Sequence, residues 1–399
     1  MRNTWRFNNN ELKYLKEVIG SGELSGTSGN MNKRFEKAFA KKVGAKYAIA
    51  FNSGTGTLHA ALHAMNVNAG DEVIVPPLTV ISNVLTILSQ NAVPVFADID
   101  PDTFNIDPKS VRKQITSKTK VIMPVSLYGL SCDLDAILEI AEPNGLGVIN
   151  DAEQAHMAEY KGRSIGNISD ITSYSLENTK HITTGDGGVV VTDNEEYAVS
   201  MRKFGCLGYS SINSSDGRIR TSNKEALQDP LYKRHDSFGF NYRMPEVAAA
   251  LGLAQVENME YFVGLRIKVA ELYNQAISGC DFMVPQCVPD GNRSTYWSFA
   301  VRYEKEDIPW QAFRRKFLEY GGYRIYAAWA LSYNEPVIAS GIFKKRAPCY
   351  FSDIEYPAGL CPVAESVQPK LMQFVTNFGD MEEARQHTDA LYKTVKHFS

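Results

Sequence analysis

Six cysteines stand in this 399-residue chain, and none forms a C-x-x-C pair: Cys132, Cys206, Cys280, Cys287, Cys349 and Cys361 lie scattered. That spacing argues against a zinc site and a disulfide framework, and fits reduced thiols in a cytoplasmic protein. Long apolar runs are also missing, so no segment reads as a membrane span. The N-terminal MRNTWRFNNNELKYLKEVIGSG lacks the apolar stretch of a leader and has the pattern of a short amphipathic helix. Neither sign of charge dominates. Lys and Arg number 42 against 45 Asp and Glu, a formal net charge of −3, which suggests no nucleic-acid or membrane-surface partner. H-E-x-x-H is absent too. His59 and His63 share i, i+4 spacing, but without that glutamate they read as helix packing or exposed side chains, and no metal is expected.

What is present is a soluble globular composition, 44% hydrophobic and 22% charged, at a length for which two domains are the default. Short apolar strands alternate with helical patterns between residues 31 and 255. They include YAIAF (47–51), EVIVP (72–76), PVFADI (94–99), KVIMPVSLYG (120–129) and LGVIND (146–151). Continuous apolar runs between helices predict an α/β fold with parallel strands covered on both faces. A hairpin is predicted at ITTGDGGVVVTD, then a long polar loop over 206–240 and a helix over 244–259. These divide the chain into a large domain, 1–255, and a small C-terminal α+β domain, 256–399. The N-terminal helix, 10–20, is assigned to the surface of the small domain.

Four fragments carry chemistry. In NSGTGTLHAALHA, Ser53, Gly54 and Thr55 lie between a strand and a helix N-terminus, a place that suits a phosphate or simple helix capping. In GVINDAEQAH, Asp151 ends an apolar strand, where open α/β sheets place functional groups. It either caps a following helix or pairs with a pyridine nitrogen, and Gln154 would then reach the oxygen on the same ring. In SYSLENTKHITTGDGG, Lys180 precedes a glycine-rich turn, as a solvated charge or as a buried amine for carbonyl chemistry. Ser175, five residues earlier, would reach a phosphate. In GFNYRMPEVAAALGLAQ, Asn241 and Arg243 interrupt the end of a loop.

Taken in order, SGTGTL, AGDEVIVPPLT, VPVFADIDPDTFNID, PVSLYG, NDAEQAH, SYSLENTKHITTGDGG and GFNYRMPEVAAALGLAQVE resemble the DegT/DnrJ/EryC1/StrS sugar aminotransferases, which use pyridoxal 5'-phosphate (PLP). The resemblance runs from about Leu24 to the C-terminus. It implies the fold-type I architecture: a large domain with a mainly parallel seven-stranded sheet and a small C-terminal domain. It assigns covalent attachment of PLP to Lys180, the pyridine nitrogen to Asp151 and the ring oxygen to Gln154. The phosphate falls to Ser175, Gly54 and Thr55, with Asn241 reaching over from the second subunit of a homodimer. The implied reaction moves an amino group from glutamate or glutamine to a keto-sugar, nucleotide-linked in the family's pattern, for polysaccharide or amino-sugar synthesis. Dehydration or deoxygenation of a sugar, an acceptor such as a free sugar acid or cyclitol, and a regulator without turnover are the rival readings. Departures are Val80, where the family stacks an aromatic residue on the ring, Ser126 for histidine, and Asp186 for glutamate. Lys233–Asp236, Arg218 and Arg220 are candidates for a nucleotide diphosphate. Tyr326 and Trp329 either line the substrate pocket or pack in the small domain.

Overall fold

The computed structural model describes residues 3–7, 9–215, 217–219, 225 and 228–399. Helices α1 (Glu11–Ser21) and α2 (Met31–Val43) lead into β1 (Tyr47–Phe51) and α3 (Gly54–Ala64). The alternation continues with β2 (Glu72–Val75), α4 (Ser82–Ser89), β3 (Val93–Phe96), α5 (Pro108–Gln114), β4 (Thr119–Ile122), α6 (Leu134–Ala141) and β5 (Gly147–Asp151). A short ribbon, β6 (Glu159–Tyr160) with β7 (Arg163–Ser164), precedes β8 (Ile171–Ser175) and β9 (Gly188–Thr192). After them come α7 (Glu195–Phe204), α8 (Glu246–Glu257) and α9 (Met259–Ala276).

The large sheet has seven strands in the order β1-β9-β8-β5-β4-β2-β3. Only β9 runs against the others, pairing antiparallel with β1 and with β8. Its sequence GVVVT is buried at every position, as a strand covered by helices on both faces requires. Two predicted strands end early. The chain leaves the sheet after Phe96, and Asp98 instead accepts hydrogen bonds from the Val363 and Ala364 N–H groups. The 120–129 segment is strand only to Ile122, and Tyr128 turns with a φ of 60°. Pro124 in between offers no N–H to a ladder.

The small sheet, β10 (Met283–Pro285), β11 (Ser298–Tyr303), β12 (Ile325–Ala327) and β13 (Leu371–Val375), is antiparallel in the order β10-β11-β13-β12. Helix α10 (Trp310–Glu319) and the C-terminal helix Met381–Phe398 join its core through Phe313, Phe317, Leu391 and Val395. Not all of 256–399 belongs to that core. Leu331, Tyr333, Ile338, Phe343 and Phe351 pack into the large-domain core, where Phe96 meets Tyr333 edge-on at 5.2 Å. The N-terminal helix also departs from expectation. Tyr14 and Val18 of α1 enter one core with α2 and α8, and the Tyr14 hydroxyl donates to Glu257 at 2.6 Å. The turn before it reaches the small domain, where the Trp5 ring lies against Phe262 and Gly379. The apolar face of α1 is therefore spent on the large domain.

Candidate active site

A cavity of about 310 Å³ opens at the carboxyl ends of the parallel strands. Open α/β sheets bind ligands there, because the chain diverges to both faces at that edge. Strand β1 delivers Ser53, Gly54 and Thr55 to the wall, β5 delivers Asp151, and β8 delivers Ser175. The 176–187 connection between β8 and β9 adds Lys180, and the loop after β2 adds Val80. Trp297 and Trp329 close the opposite side from the small domain.

At the start of α3, Ser53 is a working N-cap: its Oγ accepts the Gly56 N–H at 3.0 Å. The Gly54 and Thr55 N–H groups have no such partner among the described residues. Capping and anion binding therefore coexist at one helix end, since the cap satisfies one donor and leaves others facing the cavity. Ser175 stands against this end, and a Cβ on Gly54 would approach its Cβ to 3.1 Å. Gly188 is required by contact as well. A Cβ there would lie 2.5 Å from the Ser53 carbonyl oxygen. Only Gly185 of the turn has positive φ, at 88°.

Asp151 is buried, and its Oδ2 accepts from Asn83 Nδ2 at 2.9 Å. No helix follows β5, so the helix-cap reading is void; the chain turns through 152–158 to reach β6. Burial, and then the negative charge of Glu153, push the Asp151 carboxyl up to about 7, against the pull of Asn83 and Lys180. A cation placed beside it would restore the charged form.

Lys180 is buried, with its Nζ 2.8 Å from Glu153 Oε2 and 4.6 Å from the centre of the Trp297 ring. Two buried arginines hold its backbone. Arg6 donates to the carbonyls of Asn178, Lys180 and His181 at 2.8–2.9 Å. Arg266 donates to the Thr179 carbonyl at 3.0 Å, which the Trp297 indole N–H also reaches at 3.1 Å. Burial lowers the Arg6 guanidinium to about 10 and carries Arg266 well below its usual range, with Arg6 adding to the latter. Backbone oxygens thus take the place of a carboxylate for these two cations.

The remaining candidates divide. Gln154 is buried beside the cavity rather than on its wall, accepting the Tyr128 N–H at 2.8 Å and donating to Glu153 at 3.1 Å. Asn241 is exposed, bridged to Cys206, and off the cavity of its own chain. Trp329 lines the wall, whereas Tyr326 is 56% exposed on β12. Asp186 and Val80 line the wall, and Ser126 turns away to Asn150 at 2.9 Å. Arg218 and Lys233–Asp236 lie elsewhere: the Lys203 amine pairs with Asp236 at 2.7 Å, and His235 with the Leu207 carbonyl. Arg220 falls outside the described residues. His59 and His63 pack on Phe204, with His59 Nδ1 3.0 Å from the Tyr242 hydroxyl. Missed by sequence reasoning were Asn83, Glu153, Trp297, Arg6 and Arg266. No local spacing marks them.

A mainly parallel sheet that carries a buried lysine, a buried carboxylate and a helix N-terminus at its carboxyl edge, beneath a small antiparallel domain, is the arrangement of a fold-type I PLP-dependent transferase. Residues 6–375 match the model of the DegT/DnrJ/EryC1/StrS aminotransferase family, and the chain belongs to it. It is 39% identical over 300 residues to a GDP-perosamine synthase of Caulobacter vibrioides, covering 74% of this chain and 75% of that one. It is 37% identical over 296 residues to the spore coat polysaccharide biosynthesis protein SpsC of Bacillus subtilis, covering 74% of each. The X-ray structure of an aminotransferase from Psychrobacter cryohalolentis superposes with a TM-score of 0.85 at 28% identity, over 98% of both chains. The chain is therefore a PLP-dependent transaminase. The cavity fits that cofactor: unpaired N–H groups and a hydroxyl for a phosphate at one end, a carboxylate for a ring nitrogen, and an amine for an aldehyde.

Proposed function

We propose that the chain transfers an amino group from glutamate or glutamine to a nucleotide-linked keto-sugar, with Lys180 and Asp151 as its catalytic residues. The burial of the Lys180 amine in one cavity with Asp151 and the open end of α3 carries the site reading. The relatives that share most of its length carry the substrate reading, since one is named for a GDP-linked amino sugar and another for polysaccharide synthesis.

When bound, PLP supplies an electron-accepting ring. Lys180 would hold the cofactor aldehyde and, as a free amine, would move a proton at the donor α-carbon. Asp151 would keep the ring nitrogen protonated, Ser175, Gly54 and Thr55 would hold the phosphate, and Gln154 would serve the ring oxygen. The tryptophans and the wall of the small domain exclude water. Borohydride reduction followed by peptide mapping should put the pyridoxyl mass on the peptide containing Lys180; a label on another lysine overturns the site. The acceptor is found by offering nucleotide-linked keto-sugars with glutamate and reading the products by mass spectrometry.

The same reading makes the enzyme a cytoplasmic homodimer in which Asn241 serves the partner's phosphate. Its support is a pair of exposed rings beside Asn241: Phe238, 68% exposed, meets Phe240, 36% exposed, at 5.2 Å. No described helix is long and apolar enough to cross a membrane. Asn241→Asp and Lys180→Ala are each inactive on this reading. Refolded together, random pairing makes about half the dimers mixed, each with one intact site, and returns roughly a quarter of wild-type activity. Confirmed mixed dimers without recovery exclude a shared site.

A further inference from the structure

Glu153 has no part in the chemistry so far, yet it makes the ion pair of the Lys180 amine. It sits in the turn after β5, two residues past Asp151, and its backbone N–H donates to Asp151 Oδ1 at 3.2 Å. Its side chain is 12% exposed and has both oxygens engaged, Oε2 by Lys180 Nζ at 2.8 Å and Oε1 by Gln154 Nε2 at 3.1 Å. The charged groups that face it are Lys180, from the β8–β9 connection, and Asp151, from β5; the Trp297 ring from the small domain covers the amine. One carboxylate therefore fixes two side chains that the proposed function assigns to the same ligand.

An amine that takes up a proton becomes a cation, and in a buried cavity that cation lacks water to stabilise it. A fixed carboxylate in hydrogen-bond contact stabilises it as the charge develops, with no reorganisation at the moment of transfer. We propose that Glu153 is a positioning residue of the reaction, the carboxylate that aims the freed Lys180 amine and stabilises the ammonium formed when it removes the donor's α-proton. In that step the Cα–H bond breaks and an N–H bond forms on Lys180. The electron pair stays with the bound substrate, and Glu153 remains ionised. The proposal rests on Lys180 being the proton-moving amine.

Glu153→Gln keeps the shape and one acceptor oxygen for the Lys180 amine, but removes the charge and gives up the bond from Gln154. Two measurements follow it. In cofactor-free protein, trinitrobenzenesulfonate labels neutral amines, and peptide mapping at fixed pH 7.5 should find Lys180 labelled several-fold faster in Glu153→Gln. In loaded enzyme, the single-turnover rate with glutamate should fall on the order of tenfold to a hundredfold. The isotope effect from α-deuterated glutamate should rise, and KM for glutamate should change little. Glu153→Asp, which keeps the charge, should lie between wild type and Glu153→Gln on both readouts, and it carries the test if Glu153→Gln does not fold. A wild-type labelling rate together with a wild-type isotope effect in a folded variant overturns the proposal. The borohydride map separates that result from a failure of the site itself: if Lys180 carries no pyridoxyl mass, the site reading has failed; if it does, only the role of Glu153 has.

Discussion

Two buried ion pairs in this molecule look alike and serve different ends. Lys180 and Glu153 meet at 2.8 Å with side chains 6% and 12% exposed; Arg202 and Glu36 meet at 2.8 Å with 5% and 8%. What differs is where the remaining valences go. Glu36 also accepts the Ala50 N–H at 2.9 Å, and Arg202 also donates to the Ala48 carbonyl at 3.1 Å, so the second pair knits α2 and α7 to the backbone of β1. Lys180 has Glu153 and an aromatic face, and beyond them the cavity. Burial and distance do not distinguish a structural pair from a functional one. The tie to backbone does: both members of the second pair hold β1, whereas the Lys180 amine meets only the side chains of Glu153 and Trp297 among the described residues.

The comparison breaks most sharply at Lys180. Lys180→Ala should abolish turnover and covalent retention of the cofactor, read by steady-state assay and by the absence of a pyridoxyl-labelled peptide. Lys180→Arg should do the same although it keeps the charge, because a guanidinium never becomes a free amine at neutral pH. Next is Asp151→Asn, which should lower kcat about a hundredfold to a thousandfold while PLP remains bound. The same variant should be the more stable one without cofactor. The carboxyl is raised from 3.8 to about 7, so the folded state holds its proton more tightly than the unfolded state does. Below about pH 4 both states are protonated and Asp151 costs nothing. The cost grows as pH rises and is complete above about 7. Thermal melts of cofactor-free protein at pH 5 and pH 8 should show the wild type losing more than Asp151→Asn, and an equal loss in both refutes the shift.

At the structural pair the effects exchange places. Arg202→Met leaves Glu36 buried without its cation and should cost about 3–5 kcal/mol in denaturant unfolding, with kcat per folded molecule unchanged. Arg202→Lys should be the mildest change. It keeps the pair and loses the bond to the Ala48 carbonyl, for about 1 kcal/mol. A large fall in kcat in either variant would mean that the two pairs are coupled.

How much of this was legible from residues alone follows from range. Asp151 and Ser175 end strands, Gly54 and Thr55 open the helix after one, and Lys180 precedes a glycine-rich turn; all five line the cavity, and each of these features is written in local sequence. The large parallel sheet was legible for the same reason. Glu153 was not, since an acidic residue in a turn usually faces solvent, and only the approach of the Lys180 loop buries it. Asn83 reaches Asp151 across 68 residues of sequence, and nothing local records that contact. The N-terminal helix was misplaced because amphipathicity reports an apolar face and not what covers it. The small domain was drawn too simply, since Leu331 and Phe351 look alike from sequence whether they pack at home or on the neighbouring core.

Arg6 and Arg266 grip consecutive carbonyls of the lysine loop from positions 174 residues before and 86 residues after Lys180. That span has a meaning in time. On a ribosome the loop is synthesised well before Arg266 emerges, so the clamp closes only when most of the chain is out and α9 has docked. The ordered lysine is thus a late event of folding, although Gly54, Thr55, Asp151, Ser175 and Lys180 are already present. Cofactor capture then reports that the N-terminal turn and α9 have met across the lysine loop, and a chain stalled ahead of α9 carries those five residues without their grip.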